Sequence, residues 1–381
     1  MKKTLSVLCA AAMLLTLLPG CGSGAKTGAE TGGGTASKEQ KAEFAPSMDT
    51  SASADIEIVG QLENFEALEA VIQDFNAIYP KVTVNYSKLD DYGKTVVQQV
   101  LGSDPPEIFM SYKTYFAADS ALTDATIDLN DIGIDSGIVN PAVLDSCAAD
   151  GKMIRVPLML NYQGFVVNDT LLEKEGLQIP STYDEFISVC DALVGKGYTP
   201  LQGYSETFYN SLLFNEWRVR LSREADPGKI TEELNTGADG SGKYLAKTFG
   251  ILEDYREKGY FSEDVNSKIA DNYDAAIMSF FEGDTPFLVC SAETMSGMKK
   301  RETKSAAYSA DPFDYEFVEL PVSDMGATAV IDVWKGFSIS KNSKSVDWAE
   351  EFIRFLFTTD ELNKMAEIKG MPTVAEKGNG D

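Results

Sequence analysis

The sequence predicts an α/β chain of two lobes, each a mostly parallel sheet flanked by helices. Three observations carry that expectation. Residues 55–110 read as strand, helix, strand, helix, strand. Later segments keep alternating short apolar runs with helical spacing. About 325 residues remain after a polar N-terminal region, enough for one large domain or two medium ones.

The first strand is Asp55 to Val59, followed by a loop from Gly60 to Asn64. The next helix carries Phe65, Leu68, Val71, Ile72, Phe75 and Ile78 on one face, with Asn64 placed to cap it and Pro80 to end it. Val82, Val84 and Tyr86 alternate with Thr83 and Asn85 as a second strand. Tyr92 to Leu101 gives a second helix, and Glu107 to Met110 a buried strand after Pro105-Pro106. Parallel strands joined by helices make right-handed crossovers, and such sheets gather ligands at the carboxyl ends of their strands. Here those ends are Gly60 to Asn64 and Ser111 to Tyr115.

Beyond an irregular acidic stretch at Asp124 to Asp150, the apolar runs Met153 to Val156 and Phe165 to Val167 bracket residues 157–162, read as a crossing between lobes. Thr182-Tyr183-Asp184-Glu185 is a capping box that opens a helix with Phe186, Val189, Leu193 and Val194 on one side. Further helices fit Asn210 to Leu221, Gly242 to Lys258, Ala275 to Phe281 and Val346 to Phe357. Phe287 to Cys290, Tyr315 to Pro321 and Val333 to Ser340 read as strands.

The chain opens with Lys2 and Lys3, an uncharged apolar run from Leu5 to Leu18, and Leu18-Pro19-Gly20-Cys21. That order is a secretory signal, and its run of about 14 residues is short of the roughly 20 that span a bilayer. The exit resembles a bacterial lipobox, so residues 1–20 are expected to be removed and Cys21 to carry lipid, palmitate included, although Cys21 could also be an ordinary thiol. Residues 21–54 are Gly, Ala, Ser and Thr with scattered charge, and Phe44 and Met48 are almost their only large apolar residues. Such a composition reads as a disordered tether with an r.m.s. reach of roughly 30 Å.

With 33 Lys and Arg against 59 Asp and Glu, the formal charge is −26. That balance argues against nucleic acid and anionic head groups as partners. The chain has no histidine. Ser-His-Asp and Cys-His nucleophile systems and His-ligated metals are thereby excluded. Paired-carboxylate chemistry and oxygen-only calcium coordination stay open, but Asp104, Asp124, Asp128 and Asp131 lack EF-hand spacing. No catalytic residue, metal or cofactor is expected. After Cys9 and Cys21, the widely spaced Cys147, Cys190 and Cys290 make no disulfide framework; one pair could bridge, and buried thiols are the plainer reading.

Several segments, in order, resemble the bacterial extracellular solute-binding protein family that includes maltose- and oligosaccharide-binding receptors of ABC importers. They are FEALEAVIQDFNAIYPKVTVNY, GSDPPEIFM with Glu107 where Asp is usual, and GKMIRVPLMLNYQGFVVNDTLLEKEGLQIPSTYDEFISVCDALVGKGYTPL. FVELP, GFSISKNSKSVDWAEEFIRFLFT and KGMPT follow near the end. The resemblance covers Asp55 to Lys377. It implies a two-lobed, type II periplasmic-binding-protein-like fold whose lobes are joined by three hinge crossings, near Val156 to Leu160, Phe287 to Ser291 and Lys335 to Ile339. The first lobe is then residues 55–157 and 291–336, and the second residues 158–290 and 337–381. Relatives commonly continue past the GMPT loop, so either this sequence is truncated or its second lobe is small.

A sugar offers hydroxyls around a ring and apolar C–H faces, which call for amides, carboxylates and aromatic surfaces. The strand-end rule and the crossings nominate Gln61, Glu63, Asn64, Ser111, Tyr112 and Glu293 on the first lobe. Tyr162, Tyr204, Phe208, Trp217 and Trp334 are nominated at the crossings or on the second lobe. Each has a plainer reading. The aromatics can be core, Asn64 can be a helix cap and a ligand contact at once, and Glu63 and Glu293 can be solvated charges. The leading expectation is a non-enzymatic, monomeric receptor, lipid-anchored on the outer face of a Gram-positive cytoplasmic membrane, that hands a carbohydrate to ABC permease subunits. The rivals are a receptor for a peptide, polyamine or other polar solute, and a surface glycoside hydrolase.

Overall fold

The computed structural model describes residues 44–204, 208–209, 211–212, 215–269 and 272–376. The secretory signal and Cys21 lie outside the described residues.

Ten strands are present among the described residues: β1 Ala54–Gly60, β2 Val82–Lys88, β3 Ile108–Ser111, β4 Ala148–Ala149, β5 Lys152–Met153, β6 Val156–Asn168, β7 Leu201–Gln202, β8 Phe287–Ser291, β9 Tyr315–Val318 and β10 Ile331–Ile339. β4 and β5 pair with each other, and the rest form one sheet in the order β2-β1-β3-β10-β6-β8-β7, with β9 also on β6. Parallel pairing is confined to the two ends, where β1 joins β2 and β3 and β7 joins β8. Antiparallel pairing fills the middle through the long strands β6 and β10. The fold is α/β, but "mostly parallel" describes only its ends, because the crossing strands return against their neighbours.

The opening unit forms as its periodicity dictates. The Glu66–Ile78 helix buries Ala67, Leu68, Val71 and Phe75 in one core with Ile56 and Ile58 of β1 and Ile108 and Phe109 of β3, all fully buried. Each such side chain contributes roughly 1.5–3 kcal/mol by leaving water. In the second half of β6, residues alternate between faces as a strand requires. Phe165 and Val167 join Phe287 and Val289 in a second core, while Val166 joins Leu288, Cys290, Phe280 and Phe281 in a third apolar cluster behind the sheet. The capping box at Thr182 and Glu185 starts the Tyr183–Gly195 helix as the sequence predicts.

Membership of the cores corrects the expected lobes. Residues 337–374 supply Phe337, Phe352, Ile353, Leu362 and Val374 to the first core. Met298, Phe313, Leu320 and Val322 belong to the other clusters. The expected partition had these segments the other way round. The reason lies in pairing: β10 sits between β3 and β6, so the chain leaves it on the first-core side, and the Val346–Leu356 and Thr359–Lys369 helices pack on the Glu66–Ile78 helix. β6 passes from one core to the next, bonding β10 through Tyr162 and β8 from Gln163 onward. β8, expected as a crossing, pairs with β7 and the second half of β6.

Residues 44–54, expected as part of the tether, are instead attached to the first core. Phe44 meets Phe355 edge-on with ring centroids 5.2 Å apart, and Met48 packs on the first core. The Ser47 amide and hydroxyl donate to the two oxygens of Glu351 at 2.8 and 2.6 Å. Glu351, buried on the Val346–Leu356 helix, also accepts from Tyr79 Oη and pairs with Arg354. Burial alone would push its carboxyl up, but these partners hold it below the usual range. The two apolar residues that broke the tether's composition are the ones that fix this stretch. Cys147, Cys190 and Cys290 are free and buried, and burial pushes the Cys290 thiol up to about 12.

Candidate junction site

The pairing of β6 with β10 is irregular where the two cores meet. Val333 faces Leu160 and Lys335 faces Met159, so Trp334 is an extra residue bulged out of register. Neighbours in a regular strand point to opposite faces, and a bulge removes that constraint. The result is a stack: Lys335 Nζ lies 3.5 Å from the Trp334 ring centroid and 5.9 Å from that of Tyr112, and Lys369 Nζ lies 5.3 Å from the Trp334 ring. Next along β10, a Cβ on Gly336 would come within 2.8 Å of the Val156 carbonyl oxygen, so glycine is needed for the two strands to approach.

From the other side, β6 holds the start of the Glu293–Glu302 helix. Asn161 Oδ1 accepts from the Glu293 amide at 3.1 Å, and the Tyr162 carbonyl accepts from the Ala292 amide at 2.9 Å. This brings the Glu293 carboxylate to 3.7 Å from Lys335 Nζ. One helical turn or more beyond, Lys300 pairs with Glu66 of the first core at 3.2 Å.

Electrostatics follow from burial. Lys335 is 4% exposed, and loss of solvation pulls its ammonium down to about 8. Glu293 offsets part of that, whereas Lys369 adds to it. Burial likewise lowers Lys369 and raises Tyr112. The indole Nε1 of Trp334, itself 5% exposed, is buried without a hydrogen-bond partner. The cluster therefore gathers aromatic rings, two cations, a carboxylate and an amide side chain at one place.

Of the residues nominated from sequence, Tyr112, Glu293 and Trp334 come together here, with Tyr162 beside them on β6 and its ring edge-on to Phe317 at 5.3 Å. Ser111 does not reach a surface: it is fully buried, accepting from Ser338 Oγ at 2.7 Å. Phe208 is also core, fully buried with its ring 5.2 Å from Phe261. Both follow strand-like segments, but their side chains fall on the inward side. Asn64 is exposed and caps nothing, because the helix begins one residue later with Phe65 at the cap position. Glu63 is an exposed partner of Lys88 at 2.7 Å, and Gln61 is half-buried after β1. Tyr204 packs against the third cluster, and Trp217 is half-buried on the Asn215–Ser222 helix. Sequence reasoning missed Lys335, Lys369 and Asn161. A lysine inside the apolar run from Val333 to Ile339 was the available signal for the first.

Away from the junction, a groove of about 1090 Å³ is lined by Asp169, Glu173, Gln178, Ser181, Asp314 and Glu316 among others. Burial and the facing Glu316, Asp314 and Glu173 raise the Asp169 carboxyl to about 6. Among the described residues no group of three or more His, Cys, Asp or Glu could hold a metal ion. No described helix is long and apolar enough to cross a membrane.

Comparison with known proteins gives consistent matches. A family model described as bacterial extracellular solute-binding protein matches residues 70–377. The multiple sugar-binding protein of Streptococcus mutans serotype c is 22% identical over 85% of this chain and 75% of its own length. Among solved structures, RafE in complex with raffinose superposes with a TM-score of 0.62 at 21% identity, covering 86% of this chain and 84% of that one. A chitin oligosaccharide binding protein does so with a TM-score of 0.63 at 19% identity, covering 86% and 82%. At these identities the likeness is one of fold.

Proposed function

The chain belongs to the bacterial extracellular solute-binding protein family, with that family's periplasmic-binding-protein-like α/β fold, and on this premise we propose that it captures a carbohydrate for an ABC importer. The observation that carries the reading is the junction cluster. Trp334 of β10 and Asn161 of β6 gather there with Tyr112, which follows β3, and Glu293, at the start of its helix, a combination of aromatic, amide and carboxylate groups of the kind a sugar's C–H faces and hydroxyls call for. The sugar-binding names of the relatives support the same solute class. Closure would be a shift of population toward the form that a bound sugar stabilises, with β6 and β10 as the flexing strands. Two lysines at the junction speak against a peptide amine or polyamine as the solute.

In this proposal Cys21 carries the lipid, the protein works as a monomer on the outer face of a Gram-positive membrane, and permease subunits receive the closed form. Titration of the purified protein with neutral and acidic oligosaccharides, peptides and polyamines tests the solute class. Saturable binding of an oligosaccharide is the expected result. Binding of a peptide or polyamine with no response to any sugar overturns it. Metabolic labelling with palmitate in a Cys21→Ala background tests the anchor, with loss of label expected.

A further inference from the structure

We propose that the junction cluster of Trp334, Lys335 and Lys369 is an anion-selective subsite, so that the captured carbohydrate is acidic, bearing a carboxylate or sulfate group. The inference rests on the carbohydrate reading above and adds the substrate's charge.

The chain as a whole carries a formal charge of −26, so its surface in general repels anions. The junction is an exception. Among the described residues, Lys335, Lys369 and Lys300 gather there beside Glu293 and Glu66. Lys335 is nearly enclosed, and the carboxylate nearest it lies at 3.7 Å, well beyond the roughly 2.7–2.9 Å of a charge-assisted hydrogen bond. An ammonium has three donors and no acceptor, and the carboxylate beside Lys335 can occupy only part of that capacity. The Trp334 N–H beside it is buried and unpartnered, a second donor without an acceptor. Buried groups of this kind carry a desolvation cost that an acceptor relieves. Donors are in surplus here, and a neutral sugar, which donates as much as it accepts, does not correct the balance. A carboxylate or sulfate on the ring does.

The test uses the full mature protein and isothermal titration with four probes: a galacturonic acid trisaccharide, its methyl ester, a sulfated chondroitin tetrasaccharide and maltotriose. At least tenfold tighter binding of the acid than of its ester is expected, and the sulfated probe reports whether sulfate serves as well as carboxylate. In Lys335→Gln and in Lys369→Gln the ratio of acid to ester affinity should fall at least fivefold. Lys369, half-buried near a helix end, serves should the first variant fail to fold. Equal or tighter binding of the ester or of maltotriose overturns the anionic subsite and leaves the carbohydrate reading standing. An unchanged ratio in both variants also overturns it. Binding of no carbohydrate of either charge overturns both.

Discussion

Lys335 and Trp334 are chain neighbours whose side chains stack, with the ammonium 3.5 Å from the indole centroid, because the register of β10 on β6 slips between them. A cation so placed over an aromatic face recovers part of its lost hydration, and the rest remains as a cost to the fold.

That cost gives the lysine a pH signature. Its folded pKa of about 8 lies below the 10.5 of the free side chain, so between those values the unfolded chain holds more protons. Stability therefore rises with pH through that window. Replacement by Met should remove the rise, which amounts to at most about 3 kcal/mol. Urea unfolding of wild type and Lys335→Met at pH 7.5 and 10 measures it, and parallel pH curves for the two would contradict the placement.

Glu351 ties the segment around Ser47 to Tyr79 and Arg354. Glu351→Gln should cost about 2 kcal/mol at neutral pH, since hydrogen bonds to a charged group are at stake. The folded carboxyl is held below its usual range, so wild type's advantage is full above the unfolded value and fades as acid takes the solution through the folded one. Thermal unfolding at pH 7 and pH 3.5 checks both size and direction.

Asp169 shows the opposite sign. Its folded pKa of about 6 lies above the ordinary 3.8, so the folded state holds more protons between them and stability falls as pH rises through that range. Asp169→Asn should be the more stable protein at pH 7, by roughly 1 kcal/mol once solvent screening is allowed for. Calorimetry of both forms at pH 4 and 7 decides.

Two aromatic and charged positions should differ sharply in their cost. Phe281 is fully buried among Phe280, Tyr308, Phe313 and Tyr315, so Phe281→Ala should cost about 3–5 kcal/mol. Glu63 pairs with Lys88 in solvent, so Glu63→Gln should change stability by less than about 1 kcal/mol. Denaturant midpoints of the two variants give the comparison directly.

The sequence by itself determined what short-range pattern can determine. The spacing of Leu68, Val71 and Phe75, the alternation at Val82 to Tyr86 and the Thr182 capping box each specify an element through neighbours in the chain, and each is present. Trp334, Glu293 and Tyr112 were legible as candidates because crossings and strand ends can be read from element order. Tertiary structure decided the rest. Ser111 and Phe208 became core because side-chain direction depends on the partner strand, which composition does not reveal. Residues 337–374 joined the first core because β10 pairs with β3, a contact between positions over two hundred residues apart. The stack of Lys335 on Trp334 depends on a register slip between two such strands, and the lysine's lowered pKa follows from its burial there and from Lys369 nearby, neither of which the local sequence shows.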